Sequence, residues 1–337
     1  MNLNYLKSAI QGISIKSYID SLNQTVNRVK RINGKNKLSI MADIVLCAIK
    51  YSASPNNYYL FRFFEIDDIK RNTYITHGLS KKLIAKFNDN NYRDIFENKI
   101  KFAERFSDFY GRQWVSLENL SYGDFENFIR DKDVIIYKPV GSAQGKGIRK
   151  FLINEYENNE QMWNYLKINY GNNGILEDWI NQHEEISKIY GGAVNCLRII
   201  TIYKNDKLNM LTGRLTIANG REIANASCGD MVAPVDLETG IIKYPAEDMK
   251  GNVYITHPVT GAQIVGLQIP YWDKVVEMLS NAVKVVPQVC YVGWDIAITP
   301  SKPILIEGNT SPGYKFSQLS SHLPNHIGIK SIYERFL

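Results

Sequence analysis

No apolar run in this 337-residue chain approaches the roughly 18 residues needed to cross a bilayer as a helix, so no integral membrane segment is expected. The opening MNLNYLKSAIQGISIKSYID is too polar for a secretory signal. Cysteine is sparse. Cys47, Cys196, Cys228 and Cys290 lie far apart with no C-x-x-C pair, which argues against a zinc site or a disulfide framework and reads as reduced, cytoplasmic thiols. No Gly-Lys-Ser/Thr occurs, so there is no Walker A loop. No internal repeat or low-complexity block stands out. The net charge of +6 is modest and its basic residues read as scattered; it favours an anionic ligand slightly and argues only weakly for nucleic acid, so none is expected as a partner.

What is present is the composition of an ordinary globular protein, 45% apolar and 22% charged. Residues 1–115 read as mainly helical, with few β-branched runs. Within them PNNYYLFRFFEIDD is unusually aromatic, which suits packing against another part of the fold. From Asp133 the texture changes to short β-branched runs (VIIYKPV, CLRIITIY, MLTGRLTI, CYVGWDIAI, PILIEGN) between helical stretches. The expected fold class is α+β: a central lobe over 116–185 and a C-terminal lobe over 186–337.

One stretch, YVGWDIAITPSKPILIEGN, carries the clearest chemistry. TPSKP marks a turn between two apolar runs. A hairpin centred on Ser301 puts Asp295 opposite Glu307, and alternation places Asp295, Glu307 and Asn309 on one face. Trp294, Ile296, Ile298, Ile304 and Ile306 then share the other. Two facing carboxylates repel unless a cation lies between them. With an amide oxygen from Asn309 they form an oxygen donor set suited to Mg2+.

VIIYKPVGSAQGKGI delivers Lys138 on a strand and follows it with a glycine-rich turn whose backbone amides can surround phosphate oxygens. A second hairpin, centred near Asp206, sets Arg198 opposite Arg214, a costly pairing unless an anion sits between them.

Together these segments resemble the ATP-grasp superfamily, and most closely its sugar-transfer-associated family, found with surface-polysaccharide genes. The resemblance runs from about Pro55 to Pro312 through YKPVGSAQGKGI, QHEEI followed by VNCLRIIT, HPVTGAQIVGLQIP, VGWDIAI and IEGN, with RNTYIT and NKIKFAERF in the N-terminal half. It implies an ATP-grasp fold, two α+β lobes clasping ATP after a helical N-terminal region, with ATP and Mg2+ as cofactors. It also implies roles. Lys138 contacts the ATP phosphates, and Lys99, rather than Lys101, is the second ATP lysine. Ser142, Gln144, Gly145, Lys146 and Gly147 form the phosphate loop. Glu177, Asp178, Trp179 and Ile180 form the hinge beside the adenine, and Glu184 or Glu185 takes the ribose hydroxyls. Arg198 and Arg214 hold the transferred phosphoryl group or acyl intermediate. Ala224-Asn225 and Asp230 depart from the family pattern where the acceptor is expected to bind.

The activity so implied is an ATP-dependent carboxylate–amine ligase working through an acyl phosphate. Its substrates would be a small or sugar-linked carboxylate and an amine, in capsule or exopolysaccharide biosynthesis, in association with the enzymes of that process. A kinase on the same scaffold is the alternative, and a non-catalytic nucleotide-binding module the third reading. Positioning and electrostatics dominate such chemistry, in keeping with only five histidines, of which His183 is a candidate base.

Overall fold

A computed structural model describes residues 15–141, 145–221, 224–226 and 229–337. Ser142, Gln144 and Cys228 lie outside the described residues.

Helices run from Ile15 to Tyr110. The first two, α1 (Ile15–Asn33) and α2 (Lys37–Tyr51), are joined by a turn in which Gly34 takes φ +69° and the Asn36 side chain caps α2 by accepting from Leu38 N at 2.8 Å. Short helical turns lead to α3 (Lys99–Arg105), capped by Asn98, whose Oδ1 accepts from the Ile100 and Lys101 amides. The remaining helices used below are α4 (Tyr122–Ile129), α5 (Asn159–Tyr170), α6 (Glu184–Ile189) and α7 (Trp272–Ala282).

Two antiparallel sheets follow. The smaller holds β1 (Trp114–Ser116), β2 (Val134–Lys138), β3 (Arg149–Leu152) and β4 (Ile175–Asp178) in the order β1-β4-β2-β3. Helices α4 and α5 cover it through Phe125, Phe128, Met162 and Leu166. The larger sheet holds β5 (Cys196–Lys204), β6 (Lys207–Ile217), β7 (Met231–Val235), β8 (Ala246–Glu247), β9 (Val253–Tyr254), β10 (Tyr291–Ile298) and β11 (Pro303–Asn309). Its order is β11-β10-β5-β6-β7-β8-β9.

Both faces of the larger sheet are covered, which is why its central strands read as continuous apolar runs. On one face Leu197, Ile199, Trp294 and Ile296 pack against α7 and against Phe96, Phe102 and Phe106. On the other, Ile200, Ile202 and Tyr291 pack against Ile40, Ile44, Tyr58, Phe61 and Phe63. The aromatic N-terminal stretch is therefore core of the large sheet.

Each site hairpin contains a β-bulge. Beside its turn the β10–β11 ladder pairs Ile298 with Pro303 and Ile296 with Leu305, a register that alone would set Asp295 against Ile306. A shift between Asp295 and Ile296 inserts one residue, and Asp295 pairs with Glu307. The bulge corrects the expected apolar face: Leu305, not Ile304 or Ile306, joins Trp294 in the core. Ile304 meets Gly111 instead, where a Cβ would stand 2.3 Å from Ile304 Cγ2 and φ is +63°. In the same way β5–β6 pairs Thr201 with Met210 near its turn, and a shift between Ile200 and Thr201 brings Arg198 opposite Arg214.

Candidate active site

The two bulges, with the β10–β5 register, align four charged residues across four adjacent strands: Glu307 on β11, Asp295 on β10, Arg198 on β5 and Arg214 on β6. Directly paired residues share a sheet face, so the row reads acid, acid, base, base along one surface. At its centre the Arg198 guanidinium forks onto both Asp295 carboxylate oxygens. Burial would raise the Asp295 pKa, but Arg198 outweighs it and holds the carboxyl below its ordinary value.

The outer members are less satisfied. Burial first, and the Asp295 charge second, push the Glu307 carboxyl up. Arg214 is 5% exposed and its pKa falls to about 10, through burial and the neighbouring Arg198. Its Nη1 donates to Gly313 O and Ser317 Oγ, both at 3.3 Å, while its buried Nε has no partner among the described residues. Asn309 Nδ2 donates to Glu307 Oε1 at 3.2 Å and lies 3.5 Å from Asp295 Oδ2. Two crowded carboxylates suit a hard divalent cation, and turning the Asn309 amide over would add its Oδ1 to them. A buried guanidinium with an unmatched N–H suits an anion. Among the described residues no cluster of three His, Cys, Asp or Glu offers another cation site.

A second assembly lies where the two sheets meet. Lys138, the last residue of β2, donates to Glu177 Oε2 at 2.7 Å. Glu177 also accepts from Arg112 Nε at 2.8 Å and from the Tyr110 hydroxyl at 2.5 Å. Burial would raise its pKa, yet Arg112 and Lys138 bring it down to about 2. Arg112 is itself buried and reaches across to the bulged strand, donating to Leu305 O at 2.8 Å and Ile306 O at 3.4 Å. One guanidinium thus joins the Lys138–Glu177 pair to the backbone of the bulge that sets the Asp295–Glu307 register. Nothing in the local sequence around YGRQW marks Arg112 or Tyr110, because their partners are about 65 and 190 residues away along the chain.

Other expected residues fall as follows. Lys99 opens α3, half-buried, and its pKa is lowered by burial and by Lys138, against the attraction of Glu307 and Glu177. Lys101 is in a surface ion pair with Asp94. Gly145 and Gly147 take φ +71° and +76°, and Lys146 between them is exposed. A Cβ on Gly147 would stand 2.9 Å from Pro139 Cγ. The Glu177 carboxylate is turned into the protein by its three partners and does not face a cleft. Asp178 pairs with Lys132 at 2.8 Å, and Trp179 and Ile180 are half-buried, with Lys150 Nζ 4.7 Å from the Trp179 ring centroid. Glu184 is exposed on the first turn of α6, while Glu185 pairs with Lys188.

His183, the candidate base, caps α6: its Nδ1 accepts from Glu185 N at 3.2 Å, and its amide donates to Ile298 O at 2.7 Å. Asp230 was expected to face an acceptor, but it is buried and pins its loop by accepting from the Asn219 and Asn225 amides at 3.0 and 2.6 Å. Sequence reasoning also missed Cys196, whose thiol lies beside Asp295 and is pushed up, first by burial and then by that carboxylate. A surface cavity of about 340 Å³ lies elsewhere, between the β5–β6 turn and α7, lined by Tyr203, Asp206, Lys207 and Val276.

A facing acid pair and arginine pair thus lie on one sheet, and Arg112 links the strand beside them to the buried Lys138–Glu177 pair of the second sheet. Residues 78–330, more than half of the chain, match the model of the sugar-transfer associated ATP-grasp family. The chain belongs to that family, and its fold is the ATP-grasp fold preceded by a mainly helical N-terminal region. No curated protein matches.

Among solved structures, the chain is similar to the ATP-grasp ligase PsnB complexed with a minimal precursor, at 12% identity and a TM-score of 0.43, over 74% of this chain and 62% of that one. It is similar to the D-alanine–D-alanine ligase of Bacillus anthracis at 12% identity and a TM-score of 0.43, over 76% and 72%. It is similar to the VanG D-Ala:D-Ser ligase of Enterococcus faecalis at 14% identity and a TM-score of 0.43, over 76% and 61%. This chain therefore spans about three-fifths of the length of PsnB.

Proposed function

We propose that this protein is an ATP-dependent ligase that joins a carboxylate to an amine through an acyl phosphate. The observation that carries this reading is the row Glu307–Asp295–Arg198–Arg214, two acids beside two arginines in register. In the proposed reaction a substrate carboxylate oxygen attacks the γ-phosphorus of ATP and ADP leaves. The amine then attacks the acyl carbon, and inorganic phosphate departs with the amine proton passing to solvent or phosphate. Neither step needs a protein nucleophile.

Asp295, Glu307 and Asn309 would hold Mg2+, which when bound neutralises charge developing on the phosphates. Lys138 and Lys99 would lie along the phosphates. Arg214, with its unmatched Nε, would hold the phosphoryl group or the acyl intermediate, and Arg198 orients Asp295 from the other side. Gly145, Lys146 and Gly147, together with Ser142 and Gln144, would close over the phosphates. Asp178, Trp179 and Ile180 would border the base, through main chain and ring surface. Glu184, open to solvent on α6, would take the ribose hydroxyls, with Glu185, in a surface ion pair with Lys188, close behind. The carboxylate would be a sugar acid or related compound in surface-polysaccharide synthesis, by analogy with the family's genomic association.

The test is product analysis. Purified protein with ATP and Mg2+ should release ADP and inorganic phosphate only when both a carboxylate and an amine are supplied. Phosphorus NMR distinguishes the outcomes: free phosphate supports the ligase, whereas a persistent phosphoester formed with a hydroxyl acceptor and no amine would establish a kinase instead.

A further inference from the structure

The positive charge of the chain is not scattered. Residues 1–51 carry eight Lys or Arg against Asp20 and Asp43, a net of +6, so residues 52–337 sum to zero. Lys16, Arg28, Lys30 and Arg31 lie on α1, Lys35 on the turn that follows, and Lys37 and Lys50 on α2. Lys50 pairs with Asp68 and Arg28 lies over the Tyr59 ring. Among the described residues no ion pair involves Lys16, Lys30, Arg31, Lys35 or Lys37.

The same region is apolar where it meets solvent. Ile40, Ile44 and Cys47 of α2 face the core. On the opposite side Leu38, Ala42, Val45, Leu46 and Ile49 recur at helical spacing, with Leu38 74%, Leu46 51% and Ile49 44% exposed. A single surface leucine is ordinary, but five apolar residues along about 17 Å of one helix are not. A helix apolar on both faces has an outer face to cover.

We propose that α1 and α2 dock this protein on the surface of a bilayer containing anionic lipid. The outer stripe of α2 lies in the interface, and the lysines and arginines of α1 and of the α1–α2 turn meet the headgroups. Charge selects this occupant over a second copy of the chain, which would bring two positive surfaces together. A protein partner's anchoring side chains need sockets, which a bilayer does not; the cavities beside Tyr203 and Val276 and beside Asn88 and Val289 lie away from α1 and α2. Docking is in the plane of the membrane, since among the described residues no helix is long and apolar enough to cross one.

The experiment is flotation of the full chain with vesicles of phosphatidylcholine alone, or with about one-third phosphatidylglycerol. The chain should float with the anionic vesicles and not with the neutral ones, and raised salt should release it. The triple variant Leu38→Gln/Leu46→Gln/Ile49→Gln should lose about tenfold or more of its vesicle affinity while melting like wild type, because these side chains are exposed. Lys30→Glu/Arg31→Glu/Lys37→Glu should lose about fivefold or more for each charge removed. Failure to float with anionic vesicles, or undiminished flotation of the stripe variant, would overturn the proposal. A lipid-free dimer abolished by the stripe variant would give the surface to a second copy. Binding to polyglutamate as tight as to anionic vesicles would give it to an acidic protein.

Discussion

Replacing Arg112 tests the junction between the two sheets most directly. The Arg112→Ala variant removes one of two cations from Glu177 and leaves the carbonyls of Leu305 and Ile306 without a donor they now share. Two lines of reasoning give its magnitude. Breaking a buried ion pair from one side typically costs about 3–5 kcal/mol, because the remaining charge stays in a poorly solvating place. Holding the Glu177 carboxyl at about 2 rather than 4.5 corresponds to about 3 kcal/mol, Lys138 supplying part of it. For a chain of 337 residues a loss of about 3–5 kcal/mol should lower the melting temperature by roughly 4–7 °C.

The pH dependence carries a sign. Glu177 has a depressed folded pKa, so its contribution is present above 4.5, its ordinary value, and is lost as pH falls towards about 2. In Arg112→Ala the folded pKa rises, and the acid-side loss of stability should shrink with it. Scanning calorimetry of wild type, Arg112→Ala and Arg112→Lys between about pH 3 and pH 7 measures both effects. Lysine keeps the charge but cannot fork to Glu177 and the bulge carbonyls together, so it should fall between the other two. Arg112→Ala melting within about 2 °C of wild type, with an unchanged acid limb, would refute the assignment of Arg112 as the pin between the sheets.

Asp295→Asn and Glu307→Gln should each lower ATP-dependent turnover by about two orders of magnitude or more. Lys101→Ala, whose lysine pairs with Asp94 at the surface, should leave it within about twofold. Near-wild-type turnover in Glu307→Gln would remove the metal assignment. Glu307 also predicts how magnesium and pH combine. Its folded pKa is raised by burial and by Asp295, so stability falls as pH rises from 4.5 through that raised value, and a cation between the carboxylates offsets the loss. Added Mg2+ should therefore raise the thermal midpoint more at about pH 7 than at about pH 4; an equal or reversed effect, read by fluorimetry, would contradict it.

Both site pairs could be read from distance to a turn, because antiparallel pairing is reciprocal about the turn centre and side chains alternate. Yet Asp295 meets Glu307, and Arg198 meets Arg214, only through a bulge in each ladder. A hairpin centred on Ser301 or on Asp206 already contains the inserted residue in its count. Strict alternation through the bulge misplaces Ile304, Ile306 and Leu305, since one inserted residue exchanges the faces of the strand beyond it.

The sequence by itself determined the helical character of the described residues before Trp114, the strand-rich texture that follows, the glycine turn after Lys138 and the residue types of both facing pairs. Those are consequences of local periodicity, turn chemistry and residue type. Only the tertiary structure decided that acid and arginine pairs join in one row across four strands, since strand order is fixed by packing both sheet faces. It alone decided that Glu177 turns inward to Arg112 and Lys138, because a buried carboxylate must find cations wherever the chain brings them. It also decided that α2 buries one apolar face and leaves the other in solvent, since burial depends on which neighbours are available.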